Sequence, residues 1–464
     1  MLKKGKNYFE FENNEEREVE KFVGIEIFSS PHINGFKGIY KYNFKDFIVK
    51  EILDNGKVLE IKEDYKTPPF SEESRDQYTT FNLVKLNKDT FEAVRQIANA
   101  VNVPINEISY SGLKDKCAIS VQKVSIRGNH IARLKKLRIR DIFIRSILPS
   151  KRPINIGDNW GNHFTITLRN IEPQPDLRKK IETLFSFLEK YGFPNYYGLQ
   201  RFGTYRPNSH RIGRFLVKED FKEVFQEFTT TVYSTESKKM QEVRRNFADS
   251  KNLEKALDEF PESITYERSM IDYLINNPGD YKGAVNELPE DLKNIIMSAF
   301  QSYLFNRAIS MRVKEGFSLF APEPGDVIGI LDDDRGRLTQ VKYIYGNKDC
   351  KYDKFLDKAL TLNRAVIVVP IIGYDTNLDD FPLMKQFFSK ILEEEELNPK
   401  IFQSKRFYEF EFKGTIRAMI VKPLGLELKT LTNDEEFPDK KKLKFEFALP
   451  KGSYATMLLR ELIK

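Results

Sequence analysis

Only two of the 464 residues are cysteine, Cys117 and Cys350, and they stand far apart with no Cys-x-x-Cys spacing. That excludes a disulfide framework and, more firmly, a thiolate zinc site. The four histidines, His32, His130, His163 and His210, are scattered, and no His-Glu-x-x-His occurs. The usual protein metal centres therefore have no ligand set. No apolar run reaches the roughly eighteen residues that a membrane helix needs. The amino-terminal stretch M-L-K-K-G-K-N-Y-F-E-F-E lacks the apolar core of a signal peptide, so a cytoplasmic protein is expected. Internal repeats, low-complexity tracts and a glycine-rich strand-turn-helix loop of the methyltransferase kind are all missing.

What is present suffices for more than one core: the length favours two domains, and 40% of the residues are hydrophobic. The net charge of +7 is modest but uneven. From Leu113 to Arg152 twelve lysines and arginines face only Asp115 and Asp141, a local +10, which leaves about −3 for the rest. In R-I-R-D-I-F-I-R the charges alternate with apolar residues, the pattern of strands with one basic face. Such a face suits a phosphate backbone, although a charge run is by itself more often a solvated surface.

Along the chain, Gly35 to Ile52 reads as a turn and a strand, with Lys41 taken alone an exposed strand lysine. A strand from Tyr78 precedes a helix that Asp89 caps, with Glu92 three residues on and Phe91, Val94, Ala98 and Val101 as its apolar stripe. Pro104 ends it. Ile108 and Tyr110 deliver a Ser111-Gly112 turn, and Ala118 to Ile126 resumes as strand. Asp115, between Lys114 and Lys116, thus sits on a loop at strand ends, a common place for a functional residue. Further helices are expected over Asp176 to Tyr191, Lys218 to Phe228, Ser237 to Phe260, Pro289 to about Glu315, where Ile295, Ile296, Ala299, Phe300, Tyr303 and Leu304 have helical spacing, and Asp379 to Glu395. Strands are expected over Phe407 to Phe412 and Ile416 to Val421. The aspartates Asp332 to Asp334 are better read as a hairpin tip than as a magnesium site, since Asp and Gly are what such a turn requires.

Several motifs recur in one order. S-G-L-K-D-K-C-A-I-S-V-Q spans Ser111 to Gln122; Lys41, Asn43, Asp46 and Phe47 make K-x-N-x-x-D-F; Gly161, Asn162 and Phe164 make G-N-x-F. N-Y-Y-G-L-Q-R-F-G runs from Asn195 to Gly203, S-A-F-Q-S-Y-L-F-N from Ser298 to Asn306, and L-P-K-G-S-Y-A-T-M-L-L-R-E-L from Leu449 to Leu462, with Gly325-Asp326 before it. Together they resemble the TruD family of pseudouridine synthases over most of the chain.

The resemblance implies an α+β fold: a pseudouridine synthase catalytic domain with a bent, mixed, mostly antiparallel sheet, and an inserted TruD-specific α+β domain. The catalytic domain would take residues 1–217 and 423–464 and the insertion 218–422, with RNA in the cleft between them. The composition change near Val217 agrees with that division. The resemblance further implies that uridine in tRNA, usually uridine 13, is the substrate, with other structured RNA as a further partner. The N1–C1′ bond breaks, the uracil turns, and C5 joins C1′; this is an isomerisation without net redox change, so no cofactor is expected. Asp115 would be the catalytic aspartate, as nucleophile at C1′ or as base.

Either role needs an ionised carboxylate in a site that excludes water, where burial alone favours the neutral acid, so a cation should lie close. Lys41 is the expected partner; Lys114 and Lys116 are neighbours in sequence that can point elsewhere. Tyr197, where bacterial members carry Phe, would stack on the flipped uracil, worth roughly 1–3 kcal/mol. Phe44 replaces a proline of some relatives. Asn195, Lys114, Gln200 and Arg201 complete the expected substrate-binding set, and no residue is expected to bind metal. A non-catalytic RNA-binding protein of the same fold is the alternative; intact Lys41, Asp115 and Asn195 weigh against it. A metal-dependent nuclease would need converging carboxylates.

Overall fold

The computed structural model describes residues 8–10, 15–62, 77–332, 336–346, 352–398 and 412–464. Cys350, Asp333, Asp334 and all but the last residue of the strand expected over Phe407 to Phe412 lie outside them. The chain divides into two compact units, one of residues 1–28, 194–332 and 338–420, the other of residues 29–193, 333–337 and 421–464.

The second unit is built on an eight-stranded sheet. Its order is Leu424–Asn433, Lys441–Pro450, Asn159–Ile171, Phe47–Leu53, Ile119–Arg127, Tyr78–Leu86 and Ile142–Ser150, with Ile108–Tyr110 also paired to Ile119–Arg127. One pair is parallel, Phe47–Leu53 with Ile119–Arg127, in the register Ile48 to Ile119; the other pairs are antiparallel. That exception is decisive, because parallel neighbours start at the same edge. The segments that lead into these strands, one carrying Lys41 and the other Asp115, therefore emerge side by side.

Two helices pack on one face of this sheet. Thr90–Val101 begins at Asp89, whose carboxylate accepts from Glu92 N–H at 2.7 Å, and it buries Ala93, Val94, Ile97, Ala98 and Val101 against Phe81, Leu83, Val124 and Ile126. Phe91 belongs to the expected stripe but is 56% exposed; the stripe is set by Ala93 and Ile97, one position round the helix. Elsewhere in the sheet Phe164 and Phe447 stack at 5.1 Å, and Phe185 from helix Leu177–Tyr191 packs on Phe445 at 5.5 Å. Gly161 is needed where the strands close up, since a Cβ there would meet the Leu449 carbonyl oxygen at 2.1 Å.

The first unit is mainly helical around Glu290–Lys314, with a four-stranded antiparallel sheet in the order Leu338–Ile344, Val327–Leu331, Ala365–Ile371 and Thr415–Ala418. Ile295 of the long helix is 53% exposed, whereas Ile296, Ala299, Phe300 and Leu304 are buried. The helix expected over Ser237 to Phe260 is two, Lys238–Ser250 and Leu253–Glu259, because Lys251 is left-handed at φ 52° and Asn252 caps a new start. Helix Ser209–Lys218 crosses Glu290–Lys314 closely; a Cβ on Gly213 would stand 2.7 Å from Phe300 Cβ. Pro194 to Val217 accordingly belongs to this compact unit. No described helix is long and apolar enough to cross a membrane.

Candidate active site

Ser111, Lys114 and Gln122 of S-G-L-K-D-K-C-A-I-S-V-Q each have partners that shape the loop. Ser111 donates to the fully buried Glu51 carboxylate, while its carbonyl accepts from Gly157 N–H at 2.8 Å. Gln122 Nε2 donates to the Gly112 carbonyl at 3.1 Å, and its Oε1 accepts from the Thr90 hydroxyl at 3.1 Å. That hydroxyl in turn accepts from Lys114 N–H at 3.0 Å. Ala118 is buried without remainder. With the interior taken up in this way, Asp115 is turned outward and its side chain is 37% exposed.

Lys41 Nζ lies 3.3 Å from Asp115 Oδ2 and 4.3 Å from the centre of the Phe47 ring. It is not on a strand but in a turn, with φ at 57°, a left-handed conformation that costs an L-residue of order 1 kcal/mol or more. The rest of K-x-N-x-x-D-F holds that turn. Asn43 Oδ1 accepts from Lys45 N–H at 3.0 Å, and Asp46 Oδ2 accepts from Asn43 N–H at 3.0 Å. Arg169 clamps Asp46 with two bonds of 2.9 Å and reaches Asp434 at 2.9 Å. The hydrogen bonds that Arg169 donates to the Asp46 carboxylate raise its guanidinium above its ordinary value.

Lys114, expected among the substrate contacts, turns inward. Its Nζ is 3.1 Å from Glu51 Oε2, with the two side chains 6% and 0% exposed. Lys116 is exposed. Sequence reasoning missed Glu51 and Lys85, which look like ordinary strand residues. Lys85 is completely buried, and its Nζ donates to the carbonyls of Lys88 at 2.6 Å, Asp115 at 2.7 Å and Lys114 at 3.2 Å. Burial pushes its ammonium down to about 8, against the opposing pull of Asp115 and Asp89. The signal that could have marked it is a lysine flanked by apolar residues on both faces of one strand, F-N-L-V-K-L.

Asn195, Tyr197, Gln200 and Arg201 lie in the other unit. Asn195 Oδ1 accepts from Arg417 at 2.7 Å and its Nδ2 donates to the Ala418 carbonyl at 3.1 Å. Asn306 brackets the Tyr197 backbone, accepting from its N–H at 2.9 Å and donating to its carbonyl at 3.1 Å. The half-buried Tyr197 ring meets Phe305 edge-on at 5.6 Å, and the Arg417 guanidinium stands 4.2 Å from its centre. Arg417 is thus a cation at the ring that sequence reasoning did not find, being supplied by a strand more than two hundred residues further on. Arg201 Nε donates to Ser302 Oγ at 3.3 Å and its guanidinium is 5.8 Å from the Tyr197 ring; Gln200 is exposed. Ser302 and Asn306 belong to S-A-F-Q-S-Y-L-F-N, which these contacts join to N-Y-Y-G-L-Q-R-F-G.

Among the described residues no three His, Cys, Asp or Glu side chains are grouped to hold a metal ion. One unit presents a carboxylate–ammonium pair at strand ends, and the other an aromatic ring attended by guanidinium groups. That equipment suits an enzyme acting on a base of RNA. A family model for tRNA pseudouridine synthase D (TruD) matches residues 22–462. The chain belongs to the TruD family, and so to the pseudouridine synthases, which are isomerases.

It is 30% identical over 455 residues to a protein of Methanosarcina acetivorans named "Probable tRNA pseudouridine synthase D", covering 96% of this chain and 97% of that one. A Methanocaldococcus jannaschii protein named "Probable tRNA pseudouridine synthase D 1" is 33% identical over 429 residues, covering 92% and 95%. The crystal structure of a Methanosarcina mazei protein named "Putative tRNA pseudouridine synthase D (TruD)" superposes with a TM-score of 0.76 at 29% identity, covering 96% of this chain and 98% of that one. The expected mixed α+β fold with a large mixed sheet is the fold found.

Proposed function

We propose that this protein converts uridine 13 of tRNA to pseudouridine in the cytoplasm, with Asp115 as the catalytic carboxylate. The observation that carries the reading is the Asp115–Lys41 pair, held at 3.3 Å by two loops that enter adjacent parallel strands. Either nucleophilic attack at C1′ or proton removal requires a carboxylate placed by such a partner. Lys41 serves as its counter-ion. Lys114, bound to Glu51, contributes by fixing the loop. Tyr197 supplies a ring for the extruded uracil, Asn195 orients the turn that carries it, and Arg201 and Gln200 complete the substrate contacts.

In this proposal the catalytic domain comprises residues 1–217 and 423–464 and the insertion domain 218–422, with segment 194–217 built into the largely helical unit. The basic stretch from Leu113 to Arg152 tracks the RNA backbone; Arg140, whose side chain is 95% exposed, is available for it.

The test uses tRNA labelled with tritium at C5 of uridine, because joining C5 to C1′ releases that hydrogen. Asp115→Asn should abolish tritium release while tRNA binding stays within about threefold of wild type. Retained release by Asp115→Asn would refute the catalytic assignment.

A further inference from the structure

Lys85 is the buried ionisable group beside the site for which the reaction so far has no use. Strand Tyr78–Leu86 lies between Ile119–Arg127 and Ile142–Ser150, and its residues 79–85 are buried in unbroken succession. A lysine in such a strand gives up its hydration, and a methionine of similar length would fill the space without that cost. Among the described residues Lys85 forms no ion pair to offset the loss. Its three donors go to three backbone carbonyls, those of Lys88, Lys114 and Asp115, at 2.6, 3.2 and 2.7 Å. Two of the three belong to the Lys-Asp dipeptide that presents the reacting carboxylate.

We propose that Lys85 is the positioning residue of the Asp115 loop: its ammonium fixes the loop backbone from beneath and sets a positive charge behind the carboxylate. The proposal rests on the reading of Asp115 as the catalytic group. Lys41 then faces Asp115 at 3.3 Å from one loop while Lys85 holds the peptide of Asp115 itself. A charge bonded to the backbone carbonyl of a residue restrains its Cα, which a contact to its side-chain carboxylate does not. That restraint is what a nucleophile or base needs to hold a near-attack position.

The charged groups that act on Lys85 are Asp115 and Lys114 on the loop and Asp89 at the start of helix Thr90–Val101. Across the strands it faces Ser120 and Ile142, which carry no charge. Because burial brings its ammonium down to about 8, the charge behind Asp115 is present at neutral pH and fades at alkaline pH. Lys123 is a natural control. Burial also lowers it to about 8, but its Nζ donates to Asn82 Oδ1 at 3.2 Å, away from the loop.

The experiment is single-turnover pseudouridine formation on a tRNA transcript from pH 6 to pH 9.5, with tRNA binding and thermal unfolding measured on each variant. Lys85→Met should lower the chemical rate at pH 7 by about ten- to a hundredfold, with tRNA affinity within threefold. It should also lose the fall in rate that wild type shows above about pH 8. Lys123→Met should keep the wild-type fall in rate above about pH 8. Lys85→Met within threefold of wild type and with the same pH profile overturns the proposal. So does a rate loss that only follows unfolding or lost tRNA binding in both Lys85→Met and the donor-keeping Lys85→Gln. If neither folds, wild type decides, since a rate that does not fall from pH 7 to pH 9.5 overturns the proposal by itself. Asp115→Asn run alongside separates the two claims. Turnover in that variant removes the catalytic reading, whereas an inert Asp115→Asn beside a wild-type-like Lys85→Met removes only the role of Lys85.

Discussion

Replacing Lys41 by methionine keeps the apolar stem over Phe47 and removes only the ammonium. Both residues are L-amino acids at φ 57°, so the backbone strain of the turn cancels in the comparison. At the observed 3.3 Å, two unit charges in an effective dielectric of about 20 attract by about 5 kcal/mol. The free protein does not realise that figure, because the side chains of Lys41 and Asp115 are 21% and 37% exposed and water screens them. Pairs of this kind contribute about 0–1 kcal/mol to stability. A bound nucleotide that covers the pair displaces the water, and the interaction then moves toward the higher value. Lys41→Met should therefore leave the unfolding free energy within about 1 kcal/mol of wild type and take about 2–4 kcal/mol from transition-state stabilisation, about 30- to 1,000-fold in rate. Urea unfolding and single-turnover tritium release measure the two. A rate within threefold of wild type, or a loss of several kcal/mol in stability, would refute the reasoning.

Tyr197→Phe should be mild and Tyr197→Ala severe in tritium release, by about 1–3 kcal/mol for the lost ring; equal effects would argue against stacking. Charge reversal at Arg138 and Arg140 should weaken tRNA binding and flatten its salt dependence, and an unchanged slope would show that this face does not track the backbone. Stability should rise from pH 8 toward pH 10. Lys85 and Lys123 titrate near 8 in the folded protein, so the unfolded chain, with ordinary lysines, holds more protons in that interval, and raising the pH favours the folded state by of order a few kcal/mol in all. The window closes at pH 10, where tyrosines ionise in the unfolded chain but burial holds Tyr303 neutral in the folded one. Stability that is flat from pH 8 to pH 10 in wild type, or equally steep in the Lys85→Met, Lys123→Met double variant, would contradict this.

Local features were legible in the sequence because local rules made them. Asp89 as a cap and the extents of Leu177–Tyr191 and Glu290–Lys314 follow from spacing and end residues. Phe91 and Ile295 show the limit of that reading, since periodicity identifies a helix but not which residues at the border of its stripe the neighbours cover. The parallel pairing of Phe47–Leu53 with Ile119–Arg127 is a tertiary fact with no local signature, yet it brings Lys41 to Asp115. For the same reason the partners of Lys85, Glu51 and Arg417 could not be read locally. Each acquires its meaning from groups remote in sequence, and a buried lysine is written in the same letter as a solvated one.

Position-resolved mapping of pseudouridine in a tRNA transcript, incubated with wild type or with Asp115→Asn, tests the central claim most directly. The account predicts pseudouridine at position 13 with wild type and none with Asp115→Asn. Folded wild type that leaves uridine 13 unmodified, or equal modification by the two proteins, would contradict it.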